Sequence, residues 1–176
     1  MRYVLKAALL SITILKLNSS IAQIDTTDQT NNTDSLNFVE MFMPWTFYYF
    51  NSPDSNFVTL EDGSGYTSTE WKATIRFVMA FPGGFASAKT DFEKIKTTSE
   101  SILLDTINNS LNGRKAFTVI TEEIAPKGSG FENFTFIQTI VEFEKYTIGI
   151  GGGYPKSKDK EWRQKFINAS LSIKKK

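Results

Sequence analysis

Gly149-Ile150-Gly151-Gly152-Gly153 runs toward a predicted helix start, with Lys156 close behind. A glycine-rich loop that opens a helix can hold a phosphate or another anion with its backbone amides. Gly151, Gly152, Gly153 and Lys156 are therefore the candidate anion-binding set. Their spacing matches neither the P-loop nor the Gly-x-Gly-x-x-Gly fingerprint, and no βαβ pattern surrounds them. The competing reading is structural, with glycines ending a strand where two backbones approach closely. A second candidate is aromatic. Residues 38–50 include Phe42, Trp45, Phe47, Tyr48, Tyr49 and Phe50. Of these, Trp45, Tyr48 and Tyr49, together with Trp71, could form a platform for a small ligand or a sugar. Against it, aromatic rings dominate core burial in proteins generally, and a core strand with its lead-in accounts for the same residues.

The carboxylates offer less. Glu122 and Glu123 are adjacent at a strand end, so they point to opposite faces and cannot work as an acid/base pair. Glu142 and Glu144 share a face near a turn, where solvated carboxylates are usual. Asp54, Glu61 and Asp62 sit in turn-like segments and could contribute to a calcium site, yet the spacing of an EF-hand is absent. The sequence contains no His and no Cys. That removes the commonest general base, the commonest transition-metal ligand and the thiol nucleophile. A Ser-His-Asp triad cannot be assembled, and nothing points to a Ser-Lys dyad. No catalytic residue, metal ligand or cofactor is assigned, and the chain is expected not to be an enzyme.

The N-terminus speaks to location. Arg2 and Lys6 precede a short apolar run from Ala7 to Leu15, and Ser20-Ile21-Ala22 places small residues before Gln23. This three-part pattern is that of a signal peptide, residues 1–22. A membrane anchor is disfavoured, because the run is far shorter than the ~20 residues a spanning helix needs and Lys16 interrupts it. Without a cysteine the bacterial lipoprotein route is closed. Cleavage would take away Arg2, Lys6 and Lys16 and no acid, so 20 basic against 19 acidic residues become 17 against 19. A near-neutral exported chain has no electrostatic footprint for nucleic acid. The expected compartment is a bacterial periplasm or the cell exterior, with no transmembrane segment after cleavage. Asn31, Asn108, Asn133 and Asn168 head Asn-x-Ser/Thr triplets, which matter only in a glycosylating pathway.

Residues 23–37 are polar and nearly free of apolar side chains, so a flexible leader is expected there. Residues 38–176 then form a single domain. Phe57 to Leu60 reads as a short strand, and Tyr66 to Phe81 as one long strand by its period-two alternation. Ala86 to about Ser101 changes to a helical stripe of Ala88, Phe92, Ile95 and Ile102. Leu103 to Leu111 fits strand or helix, and Asn112-Gly113 ends it either way. Arg114 to Pro155 reads as an antiparallel meander of three strands rich in β-branched and aromatic residues. In its middle strand Phe134, Phe136 and Ile140 point one way and Ile137, Val141 and Phe143 the other. A strand apolar on both faces needs cover on both. After Pro155 a helix carrying Trp162 and Phe166 is expected, capped by Ser157 or Asp159, with Ser170 to Lys174 as a last short strand.

From Asn112-Gly113-Arg114-Lys115-Ala116 through the hairpin to Gly153-Tyr154-Pro155, the Trp162/Phe166 helix and Ala169-Ser170-Leu171-Ser172-Ile173, the order resembles the PsbP-like family. That family includes extrinsic photosystem II proteins, a Ran-binding nuclear import factor and DcrB-type bacterial envelope proteins. The likeness covers residues 86–174 well and 56–81 loosely, and Leu171 stands where an aromatic is frequent. The resemblance implies an α+β fold, with an antiparallel β-sheet covered by helices on both faces in an α/β/α sandwich. It implies no shared active site, and no functional residue is carried over. The exported start argues against photosynthetic and Ran-binding roles. The expected function is that of a non-enzymatic binding or accessory domain of the bacterial cell envelope, its partner an envelope protein or a small ligand. The alternative is a small-ligand carrier or enzyme using an aromatic-lined pocket near residues 45–50. A third reading is a β-barrel or β-sandwich carrier, with residues 86–101 plugging one end.

Overall fold

The computed structural model describes residues 40–42, 48–68, 70, 72–78, 84–143 and 147–175. Among the described residues ten strands and two α-helices follow one another: β1 (Glu40–Phe42), β2 (Tyr48–Asn51), β3 (Val58–Thr59), β4 (Gly65–Ser68), β5 (Ala73–Val78), α1 (Gly84–Glu93), β6 (Ser101–Leu111), β7 (Arg114–Glu123), β8 (Phe134–Glu142), β9 (Thr147–Pro155), α2 (Asp159–Ser170), which a short 3-10 turn at Lys156–Lys158 precedes, and β10 (Lys174–Lys175). A seven-stranded antiparallel sheet has the order β3-β4-β5-β9-β8-β7-β6, and a three-stranded sheet the order β1-β2-β10. The expected three-strand meander is β7, β8 and β9 of the large sheet, which pair consecutively, and β6 extends it by one strand.

The β6–β7 hairpin follows directly from sequence. Leu111 pairs with Arg114 across Asn112-Gly113, and those two turn residues have φ of 51° and 78°. Both positions of a type I′ turn need positive φ, which Asn and Gly tolerate best. The turn settles residues 101–111 as strand.

The two faces of the meander hold two separate apolar clusters. Ile137 and Val141 of β8 pack with Ile120 of β7, Ile148 and Ile150 of β9, and Trp162, Phe166 and Ile167 of α2. On alternate residues, Ile140 of β8 packs with Phe117 and Val119 of β7 and Ala88 of α1, flanked by Phe85, Phe92, Ile95 and Leu103. Successive strand residues face opposite ways, so the two-sided apolar character read in β8 is met by different partners on each side.

A chain of hydroxyls ties α2 to the sheet. Ser170 Oγ donates to the Ile167 carbonyl at 2.8 Å, so it must accept from Thr139 Oγ1 at 2.9 Å. Thr139 in turn accepts from Thr118 Oγ1 at 2.8 Å, and Thr118 accepts from Asn109 Nδ2 at 3.1 Å. Each hydroxyl has one proton, so the direction of the whole chain is fixed.

Several boundaries differ from expectation. Tyr66 to Phe81 is not one strand. The chain reverses between Ser68 and Ala73, which pair with each other, with Lys72 at φ 53° in the turn. No Gly or Pro marks that turn, so the alternation ran through it unnoticed. The first helix ends at Glu93 rather than near Ser101. The helix after Pro155 continues through Ser170, leaving only Lys174–Lys175 as strand. It starts without a side-chain cap, so neither Ser157 nor Asp159 has the expected capping role.

Candidate functional site

The glycine run is not a loop. Gly151, Gly152 and Gly153 lie inside β9, paired with Arg76, Ile75 and Thr74 of β5 on one side and with Gln138, Ile137 and Phe136 of β8 on the other. A strand bonded on both sides directs its N–H and C=O groups to its neighbours. The structural account of these glycines holds for another reason. A Cβ at Gly152 would stand 2.6 Å from the Phe166 ring, and one at Gly153 would stand 2.7 Å from the Phe136 ring. The glycines leave room for these two rings on opposite faces of one strand. Lys156 sits just past the strand, its Nζ 2.9 Å from Glu122 Oε2.

Of the aromatic set, Trp45 and Trp71 lie outside the described residues. Tyr48 and Phe50 point into the core, and the Tyr48 ring meets Phe143 edge-on at 4.6 Å between centroids. Tyr49 takes the opposite side of β2 and is half-buried. The structure therefore does not bring Tyr48 and Tyr49 to one face.

What the structure does gather is a polar cluster where β7, β8 and β9 meet the start of α2. Glu122 pairs with Thr135, and Thr135 with Tyr154, so all three share the face that α2 covers. Asn133 Nδ2 donates to Glu122 Oε1 at 2.7 Å, while Asn133 Oδ1 accepts from the Ala125 amide at 3.0 Å. The Lys156 amide donates to the Asn133 carbonyl at 2.8 Å. Beside it the Tyr154 hydroxyl donates to Asp159 Oδ1 at 3.1 Å, and Arg163 Nη2 lies 2.6 Å from Asp159 Oδ2.

The electrostatics follow from these bonds. The Asn133 and Lys156 hydrogen bonds hold the Glu122 carboxyl below its usual range. Burial pushes Asp159 up, but the bonds from Arg163 and Tyr154 and the guanidinium charge outweigh it and leave the group lowered. The Asp159 contact raises Arg163. Burial first, and then the Asp159 charge, raise the Tyr154 phenol well beyond its ordinary value. At neutral pH these are two carboxylates, two cations and a neutral phenol. A proton-transfer pair needs groups moved toward the working pH, and every shift here runs the other way.

Sequence reasoning separated Glu122 from Glu123 correctly. Glu123 faces away and accepts from Ser101 Oγ at 2.8 Å and Thr121 Oγ1 at 2.9 Å. It missed Asp159 and Arg163 as an i,i+4 pair next to Tyr154. The signal was present, in an acid and a base one helical turn apart just after a strand-ending Tyr-Pro. The acids considered for calcium go separate ways: Asp54 faces Lys165 at 3.6 Å, and Asp62 lies 3.4 Å from Arg76. Among the described residues no three acidic side chains gather as an ion site, and no helix is long and apolar enough to cross a membrane.

This arrangement of sheet and helices is the PsbP-like fold. It is similar to the cyanobacterial PsbP of Synechocystis, with a TM-score of 0.56 at 7% identity over 85% of this chain and 98% of that one. The Ran-binding protein Mog1p of Saccharomyces cerevisiae gives a TM-score of 0.51 at 10% identity, covering 80% of this chain and 96% of that one. LpqN of Mycobacterium tuberculosis, involved in cell envelope biogenesis, gives 0.50 at 11% identity over 72% and 81%. At these identities the likeness concerns the fold. No protein-family model matches the chain, and no curated protein does.

Proposed function

We propose that this chain is an exported, non-enzymatic binding or accessory domain of a bacterial cell envelope. The observation that carries the reading is the cluster of Glu122, Tyr154, Asp159 and Arg163. It gathers four of the five groups whose titration is shifted among the described residues, and each shift favours the charge state the group already holds at neutral pH rather than proton transfer. The signal-peptide pattern before Gln23 supports export. The fold shared with an envelope-biogenesis protein and with a Ran-binding protein supports a role in binding, by analogy of scaffold only. In this reading α1 and α2 cover opposite faces of the sheet as an α/β/α sandwich, supported by the separate clusters around Ala88 and around Trp162.

The test is cellular. A C-terminally tagged chain should appear in the periplasmic or extracellular fraction with Gln23 as its first residue. In-cell crosslinking should then join it to one recurrent envelope component. Full-length tagged protein retained in the cytosol would end the export reading, and repeated crosslinking with no recurrent product would end the binding one. A small-ligand carrier using Trp45, Tyr49 and Trp71 is the second proposal. It rests on Tyr49, which is half-buried on the side of β2 away from Tyr48. Quenching of Trp fluorescence by a ligand, lost in Tyr49→Ala, would favour it. Anion capture near Gly151, Gly152, Gly153 and Lys156 would have to use the Lys156 ammonium, and so would compete with Glu122.

A further inference from the structure

The outer strand β6 is eleven residues long and holds no Lys, Arg or Pro, the residues that usually discourage strand addition at a sheet edge. Its outward-facing amides can be identified. Leu111 and Arg114 close a two-residue turn, which makes them a hydrogen-bonded pair. Alternation then turns the amides of Ser110, Asn108 and Thr106 away from β7. The irregularity between Leu103 and Asp105 shifts the parity, so Leu103 and Ser101 face outward on the other side of it.

The chain meets three of these five amides with its own side chains. Thr98 Oγ1 accepts from the Ser101 amide at 3.0 Å, while the Thr98 amide donates to the Ser101 carbonyl at 2.6 Å. Thr97 Oγ1 accepts from the Leu103 amide at 3.0 Å. Asp105 Oδ1 accepts from the Thr106 amide at 2.7 Å. Thr97 and Thr98 thus stand where a neighbouring strand would be, and Asp105 covers the next position. Asn108 and Ser110 have no such acceptor among the described residues.

We infer that Thr97, Thr98 and Asp105 form a built-in guard on this edge, whose role is to prevent the sheet from adding the β6 strand of a second copy. The guard covers the half of β6 that carries Ile102 and Leu103, where an added strand would find apolar side chains to pack on. It leaves the polar Asn108 to Ser110 half open, where addition gains little.

Two measurements on the full chain test this. In the unaltered protein, hydrogen exchange should be at least about tenfold slower at Leu103 and Thr106 than at Asn108 and Ser110, as one hydrogen bond would produce. Equal exchange at all four would overturn the assignment. In the double variant Thr97→Val, Asp105→Ala, sedimentation velocity should show a concentration-dependent rise in mass, with far-UV and near-UV circular dichroism unchanged. A folded variant whose mass matches the unaltered chain at every concentration would overturn the inference. If the double variant does not fold, Thr97→Val alone, an isosteric change, is read the same way.

Discussion

At the scale of single residues, β9 makes a sharp contrast between neighbours. A Cβ at Gly152 would meet Phe166 at 2.6 Å and the Thr74 carbonyl at 3.0 Å, whereas at Gly151 the nearest atom is 3.5 Å away in Phe136. Gly152→Ala should therefore destabilise by about 1–3 kcal/mol, the usual cost of overpacking. Gly151→Ala should be within about 1 kcal/mol of neutral, since the added methyl meets only ordinary contact and alanine loses less backbone freedom on folding than glycine does. Urea midpoints with unchanged slope would measure both, and equal losses would refute the ring-on-glycine account. The charged cluster sets the acid response. Glu122 and Asp159 have folded-state pKa values below their unfolded ones. Their contribution is full above the ordinary carboxylate range and is lost as pH falls through the lowered folded values. Stability should drop steeply below about pH 4, and the slope should be shallower in Glu122→Gln with Asp159→Asn. An unchanged slope would mean those bonds do not carry the acid response.

Between elements, the hydroxyl chain joins three strands to a helix. Thr139 sits at its centre and is 1% exposed, too buried for water to replace a lost partner. Thr139→Val should cost about 1–3 kcal/mol by stranding Thr118 and Ser170. Adding Thr118→Val and Ser170→Ala to it should recover part of that loss in the same unfolding assay. This level also shows what could be read in advance. Asn112-Gly113 announced its hairpin because only a few residue types accept its dihedrals, and the two apolar sides of β8 announced two sets of partners. The reversal at Lys72 was invisible because Ser68-Thr69-Glu70-Trp71 contains no residue that demands a turn. The glycine run left a loop and a strand end both open, because composition cannot tell a glycine freed by a turn from one cleared for a ring. Phe166, which requires the clearing, lies well downstream in another element. The full polar cluster escaped for a related reason, since Glu122 and Tyr154 come to one face only through strand register.

For the whole molecule, the large sheet is assembled mostly from consecutive strands, while the smaller one is not. β2 has β1 on one side and β10 on the other, and the Asn51 amide donates to Ser172 Oγ at 2.7 Å. Ser172→Ala should therefore loosen residues 48–51 more than it loosens β7 or β8, seen as faster amide exchange confined to that stretch. Exchange that quickens equally in β7 would mean the two sheets open as one unit. The pairing also fixes an order of events. The pairing of β6 with β7 and of β7 with β8 can settle while synthesis is still under way, because those strands follow one another in the chain. The segment Tyr48–Asn51 has no such option and must wait, with one side unpaired, for a stretch made more than a hundred residues later. A chaperone that holds unfolded chains would therefore find its longest-lived target near the beginning of the domain.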